Sequence, residues 1–157
     1  MFRERKYKIS CGIGKANYAL SAFDAALRDA GCANYNLLKL SSILPAGFSQ
    51  VSKIDLLEGS VLPTAYCSFT AGENEKEYGQ TIAAAIAVGI PRDRQKGGVI
   101  MEWAGRATLF DAKSIVKDMV REAMKGRNVQ DYDIQAEGVE STVDKKNTCV
   151  FAGISIW

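Results

Sequence analysis

Hydrophobic side chains recur at helical spacing in three parts of the chain. The clearest case is Leu20, Phe23 and Leu27, which follow one another at intervals of three and four residues and would line one face of a helix. A glycine directly follows each segment, as is common at helix ends. The pattern predicts helices over residues 16–30, 75–88 and 111–125, the last capped by Asp111.

Shorter apolar runs lie between these segments and are bounded by turn residues. They predict strands over residues 7–12, 34–40, 59–70, 99–103, 132–143 and 148–157. Because the chain has neither a linker nor a repeat, these elements indicate one domain over residues 1–157. Three helices with this number of strands predict a layered α+β sandwich.

Histidine is absent from all 157 residues, which restricts the chemistry available to the chain. A Ser-His-Asp triad, a Cys-His pair and the common histidine-containing metal sites are excluded. The 20 Lys and Arg against 18 Asp and Glu leave a net charge of +2. The densest basic run, residues 3–8, is typical of a charged strand edge, so we expect no nucleic-acid partner.

The cysteines and the apolar stretches bear on the location of the protein. The 4 cysteines, at positions 11, 32, 67 and 149, are too far apart for a CxxC redox or zinc motif. The N-terminal segment is too charged for a signal peptide, and no uncharged stretch is long enough to span a bilayer. We therefore expect a cytoplasmic protein with reduced thiols and no membrane partner.

Three features are candidates for chemistry. Residues 12–15, Gly-Ile-Gly-Lys, lack the remaining residues of a phosphate or dinucleotide loop and are interpreted as a strand-to-helix turn. Asp24 shares the helix face of Leu20 and Leu27, where its carboxylate either reaches solvent or forms the wall of a pocket for a cationic group. Glu102 interrupts an apolar strand. Strand alternation favours a polar outer face for it, and the alternative is a carboxyl with a raised pKa that could donate a proton.

The pair Ser41-Ser42 stands between an apolar strand and Pro45. Most such pairs are simple turns, but a bend at this place can hold backbone strain. A serine hydroxyl in such a bend can attack the preceding carbonyl and form an ester, and β-elimination then splits the chain. The dehydroalanine that remains hydrolyses to a pyruvoyl group, which is an electrophile made from the chain itself.

These residues resemble the pyruvoyl-dependent arginine decarboxylase family. The resemblance is carried by NLLKLSSILPAG at residues 36–47, with AFDAALRDAG before it at residues 22–31. It also includes the strand with Glu102 and the C-terminal run TCVFAGISIW, so it spans most of the chain. Pro45-Ala46 departs from the family pattern, but it lies outside the chemistry.

The resemblance implies an αββα sandwich of mixed or antiparallel sheets flanked by helices and self-cleaved into two chains. Cleavage would fall between Ser41 and Ser42 and leave a small chain, residues 1–41. The large chain, residues 42–157, would begin with the pyruvoyl group formed from Ser42. By the same resemblance, the protein would be a homotrimer of processed two-chain protomers, with sites between neighbouring subunits.

The resemblance also assigns roles to single residues. Asn36 would support self-processing by orienting or polarising the Ser41 carbonyl, and Glu102 would protonate the substrate. Asp24 would hold a guanidinium group, which suits the two-pronged pairing of guanidinium with carboxylate. The resemblance also implies that Leu20 and Leu27 line the slot for the substrate methylenes. The remaining residues implied at the substrate are Ser41 and Ile43.

The reaction implied is decarboxylation of L-arginine to agmatine and carbon dioxide through a Schiff base to the pyruvoyl group. It would need neither pyridoxal phosphate nor a metal, since the ketone is the electron sink. One alternative is a pyruvoyl decarboxylase for another amino acid such as histidine. Another is an unprocessed, non-catalytic relative in which Ser41-Ser42 is a plain loop. The physiological role, polyamine synthesis or acid resistance, stays open.

Overall fold

The computed structural model describes residues 4–157, so Arg3 of the basic run and the first residues of the predicted domain lie outside the described residues. The described chain forms two helices and nine strands. The helices are α1 (Ala19–Ala30) and α2 (Leu109–Gly126). The strands are β1 (Lys6–Ala16), β2 (Asn36–Lys39), β3 (Ile43–Leu44), β4 (Ser49–Gln50), β5 (Val61–Ala71), β6 (Thr81–Pro91), β7 (Gly98–Arg106), β8 (Tyr132–Thr142) and β9 (Asn147–Ile156).

Two sheets stack face to face, and one helix covers the outer side of each. The five-stranded sheet has the order β2-β5-β9-β1-β4, and the four-stranded sheet has the order β3-β7-β6-β8. β9 is antiparallel to both of its neighbours, whereas β2 and β4 add parallel edge strands. The largest apolar cluster lies between the sheets, and smaller clusters lie under α1 and α2. The expected α+β sandwich with αββα layers is confirmed, while self-cleavage stays a prediction.

Small residues allow α1 to lie directly on β1. A Cβ atom at Gly12 would be 2.1 Å from the carbonyl oxygen of Ala26, and one at Gly14 would be 2.2 Å from that of Ala22. Both alanines are fully buried at this contact. Glycine is therefore required here by the close approach of two backbones.

The interpretation of residues 12–15 as a strand-to-helix turn is wrong. This segment belongs to β1, which continues to Ala16, and α1 accordingly begins at Ala19 rather than at residue 16. The predicted helix end is confirmed, since Gly31 adopts the left-handed conformation with φ of 72°.

The predicted second helix over residues 75–88 is also wrong. Residues 75–77 form a short 3₁₀ turn, and the alanine-rich run is β6 in the four-stranded sheet. β6 is buried on both faces, between the other sheet and α2, so it lacks the alternation of a half-exposed strand. Alanine suits this position because its small side chain lets both layers approach closely.

The third predicted helix is present, with a different start. α2 begins at Leu109, and its N-cap is Thr108, whose hydroxyl oxygen accepts a hydrogen bond from the Asp111 backbone N–H at 3.2 Å. Asp111 therefore lies in the first turn instead of capping the helix. All six predicted strands are present with shifted bounds, and β3 and β4 are additional short strands between β2 and β5.

Candidate active site

The Ser41-Ser42 bond lies where the chain passes from one sheet to the other. β2 is an edge strand of the five-stranded sheet, and β3 is an edge strand of the four-stranded sheet. Residues 40–42, which we call the sheet junction, connect these two edges. At one end the Leu40 N–H donates to the Thr64 carbonyl at 3.0 Å, and at the other the Ser42 carbonyl accepts from the Ile100 N–H at 2.7 Å.

The sheet junction is accessible and irregular. Ser41 is exposed and Ser42 is partly exposed, and neither belongs to a helix or strand. Neither serine has a positive φ. The backbone strain that the sequence suggested at this bend is therefore not left-handed backbone. The two hydrogen bonds fix the chain on both sides of the serine pair.

Glu102 points into the space between the two sheets. On β7 the alternate residues Ile100 and Ala104 belong to the inter-sheet core, whereas Val99 and Trp103 pack under α2, and Glu102 shares the side of Ile100. The polar outer face favoured by the sequence pattern is therefore wrong. Burial raises the pKa of the half-buried Glu102 carboxyl above its ordinary value, and the positive charge of Lys39 acts in the opposite direction.

The structure brings Ser42 and Glu102 to the same stretch of β7. Ile43 pairs with Val99, and the Ser42 carbonyl bonds to Ile100. Glu102 lies two residues further along, about 7 Å in an extended strand. A half-buried carboxyl with raised pKa thus lies on β7 two residues beyond the point where the Ser42 carbonyl is bonded.

Asp24 lies on a separate surface. With Leu20, Phe23 and Leu27 it lines a shallow hollow on the outer side of α1 that does not include the sheet junction. Leu27 is buried, whereas Leu20 is 79% exposed. The Asp24 carboxylate is 3.2 Å from the guanidinium Nε of Arg28, one turn along the helix, and this pair is exposed to solvent. The carboxylate is thus open to a guanidinium group, and the lining of its hollow does not include Ser42.

Asn36 lies at the opposite end of β2 from the serine pair. Its side-chain amide donates to the Gly59 carbonyl at 2.7 Å. The five residues from Asn36 to Ser41 span roughly 16 Å when extended. Within one chain the structure therefore does not bring Asn36 to the Ser41 carbonyl, and its role in processing stays a prediction.

Sequence reasoning missed Lys39, which lies at the end of β2. Its ammonium group donates to the Tyr66 carbonyl at 2.7 Å and lies 4.5 Å from the centre of the Tyr66 ring. Its charge acts on Glu102. The available signal was a single lysine three residues before Ser42 in an apolar run.

Apolar side chains are exposed along the edge of the two sheets, from the start of β5, which pairs with Asn36, to β3 beyond the sheet junction. Ile43 is 47% exposed, Leu38 on β2 is 55% exposed, and Val61 at the start of β5 is 60% exposed. We call these three residues the junction patch. An apolar patch along strand edges is typical of a surface that another chain covers.

Other candidate sites are not evident. Within residues 4–157, no three His, Cys, Asp or Glu side chains are grouped so as to hold a metal ion. Neither helix in the described part of the chain is long and apolar enough to cross a membrane. The four cysteines are free thiols.

Comparison with known proteins identifies close relatives. The family model described as pyruvoyl-dependent arginine decarboxylase matches residues 6–155. A protein of that name from Methanococcus aeolicus is 36% identical over 146 residues, which cover 93% of this chain and 86% of the relative. One from Methanocaldococcus jannaschii has the same identity and coverage. Another, from Thermococcus kodakarensis, is 34% identical over 145 residues, which cover 92% of this chain and 89% of the relative.

Proposed function

This chain belongs to the pyruvoyl-dependent arginine decarboxylase family, and we propose that it converts L-arginine to agmatine and carbon dioxide with a pyruvoyl group made from Ser42. The chain is thus a carboxy-lyase that depends on a pyruvoyl group. The observation that carries the proposal is the position of Ser42 and Glu102 beside the same stretch of β7.

Self-processing would begin at the sheet junction. The Ser42 hydroxyl attacks the Ser41 carbonyl, the peptide bond breaks, and an ester joins the two residues. Loss of the Ser42 α-proton and departure of the Ser41 carboxylate leave dehydroalanine, whose amine water replaces to give pyruvoyl and ammonia. The products are residues 1–41 and residues 42–157. Support comes from the exposure of both serines and from the hydrogen bond that holds the Ser42 carbonyl.

The pyruvoyl ketone would accept the substrate amine as a Schiff base and act as the electron sink for loss of carbon dioxide. The neutral acid of Glu102 then delivers a proton to the substrate α-carbon, a role that its raised pKa suits. Asp24 binds the substrate guanidinium, as it binds that of Arg28 in the single chain. Leu20 and Leu27 contact the substrate methylenes, while Ser41 and Ile43 border the reacting end.

We further propose a homotrimer with sites between neighbouring protomers. The junction patch leaves apolar edge residues in water, and a second copy would bury them. The lining of the Asp24 hollow does not include Ser42 of the same chain, and a neighbour's α1 that packed near the patch would complete the site. The cytoplasmic location stays a prediction from the sequence.

The alternatives are less well supported. The names of the relatives specify arginine rather than histidine, and they describe catalysts rather than inert proteins. Asp24 by itself indicates only a cationic side chain.

Intact mass under denaturing conditions tests the proposal. We expect two chains split after Ser41, with the larger chain lighter than a serine-started fragment by one ammonia, and release of carbon dioxide from arginine. Ser42→Ala should give one uncut chain without decarboxylase activity. The matched control is Ser41→Ala, which should still be cut because Ser41 contributes its carbonyl and not its hydroxyl. Agmatine formation by uncut Ser42→Ala protein would refute the proposal.

A further inference from the structure

The carbonyl oxygen of Ser42 accepts a hydrogen bond from the backbone N–H of Ile100 at 2.7 Å. This distance lies at the short end of the range for amide donors. The donor is held rigidly, because Ile100 is fully buried and its strand also pairs with β6, where Val88 is its partner. The acceptor belongs to the irregular sheet junction. A fixed donor therefore meets the carbonyl of the residue that would carry the pyruvoyl group.

The short strand β3 holds the chain on the far side of the proposed cut. Ile43 pairs with Val99, and the buried Leu44 pairs with Gly98. Both pairs follow the serine–serine bond in the chain, so they do not depend on that bond. The carbon and oxygen of the residue 42 carbonyl are also retained, since conversion of the serine removes its nitrogen, its α-proton and its hydroxyl oxygen. The hydrogen bond from β7 is thus available before and after processing.

We infer that the Ile100 backbone N–H is a catalytic donor that stabilises negative charge on the residue 42 carbonyl oxygen, first in self-processing and then in decarboxylation. The inference rests on the proposed function. In each reaction an electron pair is released on a carbon conjugated with this carbonyl, and its charge spreads onto the oxygen. The hydrogen bond strengthens as that charge develops, because ionised acceptors bind N–H donors more strongly than neutral acceptors do. Fixed backbone N–H groups at oxyanion sites act in the same way.

In self-processing, the charge appears in the elimination step. Once the Ser41 acyl group is on the Ser42 hydroxyl, the Ser42 α-proton passes to a solvent base. The electron pair moves onto the Ser42 carbonyl oxygen, to which the Ile100 N–H donates. The pair then returns, the bond between Cβ and the ester oxygen breaks, and the Ser41 carboxylate leaves. The earlier acyl shift develops its charge on the Ser41 carbonyl, so the Ile100 donor does not act on it.

In catalysis, the charge appears when carbon dioxide leaves. The bond between the substrate α-carbon and its carboxylate breaks, and the electron pair passes through the link to residue 42 onto the carbonyl oxygen. The Ile100 N–H again donates to this oxygen. Glu102, two residues further along β7, then delivers a proton to the α-carbon, and the pair moves back from the oxygen. One donor therefore serves two reactions at one atom.

The first test removes the donor and keeps the side chain. Cell-free translation with a tRNA that carries the α-hydroxy acid of isoleucine puts an ester oxygen in place of the Ile100 N–H. The matched control is the same exchange at Leu40, whose N–H anchors the other end of the sheet junction on the Thr64 carbonyl at 3.0 Å. We call these proteins the Ile100 ester and the Leu40 ester. Each loses one backbone hydrogen bond beside the serine pair, and urea unfolding checks that each has folded.

Two rates separate the elimination from the acyl shift. Hydroxylamine splits the chain at the Ser41–Ser42 ester as it forms, so release of residues 1–41 as a hydroxamate measures the shift by intact mass. Without hydroxylamine, the mass of the large chain measures pyruvoyl formation. In the Ile100 ester we expect pyruvoyl formation to slow by about 100-fold, as when one oxyanion donor is lost, with the shift unchanged. In the Leu40 ester the ratio of the two rates should equal that of the wild type. A fall of both rates together in the Ile100 ester indicates a merely structural role and refutes the inference.

The second test measures turnover per pyruvoyl group. In the processed fraction of the Ile100 ester, kcat for arginine should fall by a similar factor with little change in KM, because the donor acts on charge that is absent from the bound substrate. An unchanged kcat, or an equal fall in the Leu40 ester, overturns the catalytic part of the inference.

The third measurement needs no altered backbone, so it decides the matter even if the Ile100 ester fails to fold. Hydrogen exchange of the Ile100 N–H, resolved to single residues by mass spectrometry, should be slow in the uncut Ser42→Ala chain and in processed wild-type protein. Exchange at the unprotected rate after processing would refute the inference. Wild-type protein that is neither cut nor active refutes the proposed function and the inference with it. Wild-type protein that is cut and active, with both rates unchanged in the Ile100 ester, refutes the inference alone.

Discussion

The Asp24 carboxylate already pairs with a guanidinium group, that of Arg28 on the same helix. Both side chains are exposed, and such pairs contribute only about 0.3–0.5 kcal/mol. A substrate guanidinium that also placed its methylenes on Leu20 and Leu27 could therefore displace Arg28 at little cost. On the proposed function, Arg28 would occupy the place of the substrate guanidinium and would add little to the stability of the fold.

Asp24→Ala should impair arginine turnover and leave self-cleavage intact, since the described structure shows the carboxylate paired with Arg28 and not with the serine pair. Losing a charge-assisted hydrogen bond of about 1.5–3 kcal/mol corresponds to a fall in kcat/KM on the order of 10- to 100-fold. Steady-state kinetics with intact mass measures both effects. Arg28→Ala is the control, and it should not raise KM. An unchanged kcat/KM in Asp24→Ala would rule out the guanidinium role.

Single residues differed in how well they could be predicted from the sequence. Ser41-Ser42 and Glu102 stood out as a serine pair before a proline and a charge inside an apolar strand. The side of β7 that carries Glu102 could not be predicted, because both faces of that strand are covered by other layers. Lys39 could not be singled out, because its partner Tyr66 is distant in sequence.

At the scale of elements, β6 shows where local preference is overruled by packing. Its alanines favour a helix in isolation. In the fold this segment lies between α2 and the five-stranded sheet. The burial of both of its faces determines its conformation. The helices α1 and α2 were predictable because one face of each is apolar and each ends near a glycine. The length of β1 was underestimated, because its glycines are typical of a turn. Their close contact with α1 cannot be inferred from the sequence alone.

The contact between α1 and β1 makes Gly14→Ala destabilising. The new Cβ would be 2.2 Å from the Ala22 carbonyl oxygen and 2.3 Å from the Ala26 nitrogen, both backbone atoms that cannot yield without moving the helix. We expect a loss of about 1–3 kcal/mol in the free energy of unfolding, as for other overpacked sites. Urea unfolding of the uncut Ser42→Ala chain, with and without this change, measures it.

Gly126→Ala is the control for this prediction. Gly126 lies in the last turn of α2, and no atom would be within 4 Å of its new Cβ. Replacing it should be neutral or stabilise by about 0.5–1 kcal/mol. Equal losses for the two glycines would show that the close contact with α1 is not what requires glycine.

For the whole molecule, cleavage at the sheet junction would cut the chain without separating its parts. The small chain would contribute α1 and β1, and β1 pairs along its whole length with β9 of the large chain. We therefore expect both chains to elute together in native size-exclusion chromatography. The small chain should be released only at the urea concentration that unfolds the sheets. Its elution alone in plain buffer would contradict the prediction, and uncut Ser42→Ala protein provides the size reference.

The place of β9 also orders events during synthesis. β9 is translated after the other eight strands of residues 4–157, yet it lies between β5 and β1 in the five-stranded sheet. While β9 is still inside the ribosome, no strand links β5 to β1 in the nascent chain. β2 pairs with β5 at the edge of this sheet, and β5 fixes the chain just before the serine pair. Without β9, these two strands cannot be in their final position. A polypeptide stalled or truncated before β9 would therefore remain whole, and the cut would mark only those molecules in which β9 had joined the sheet.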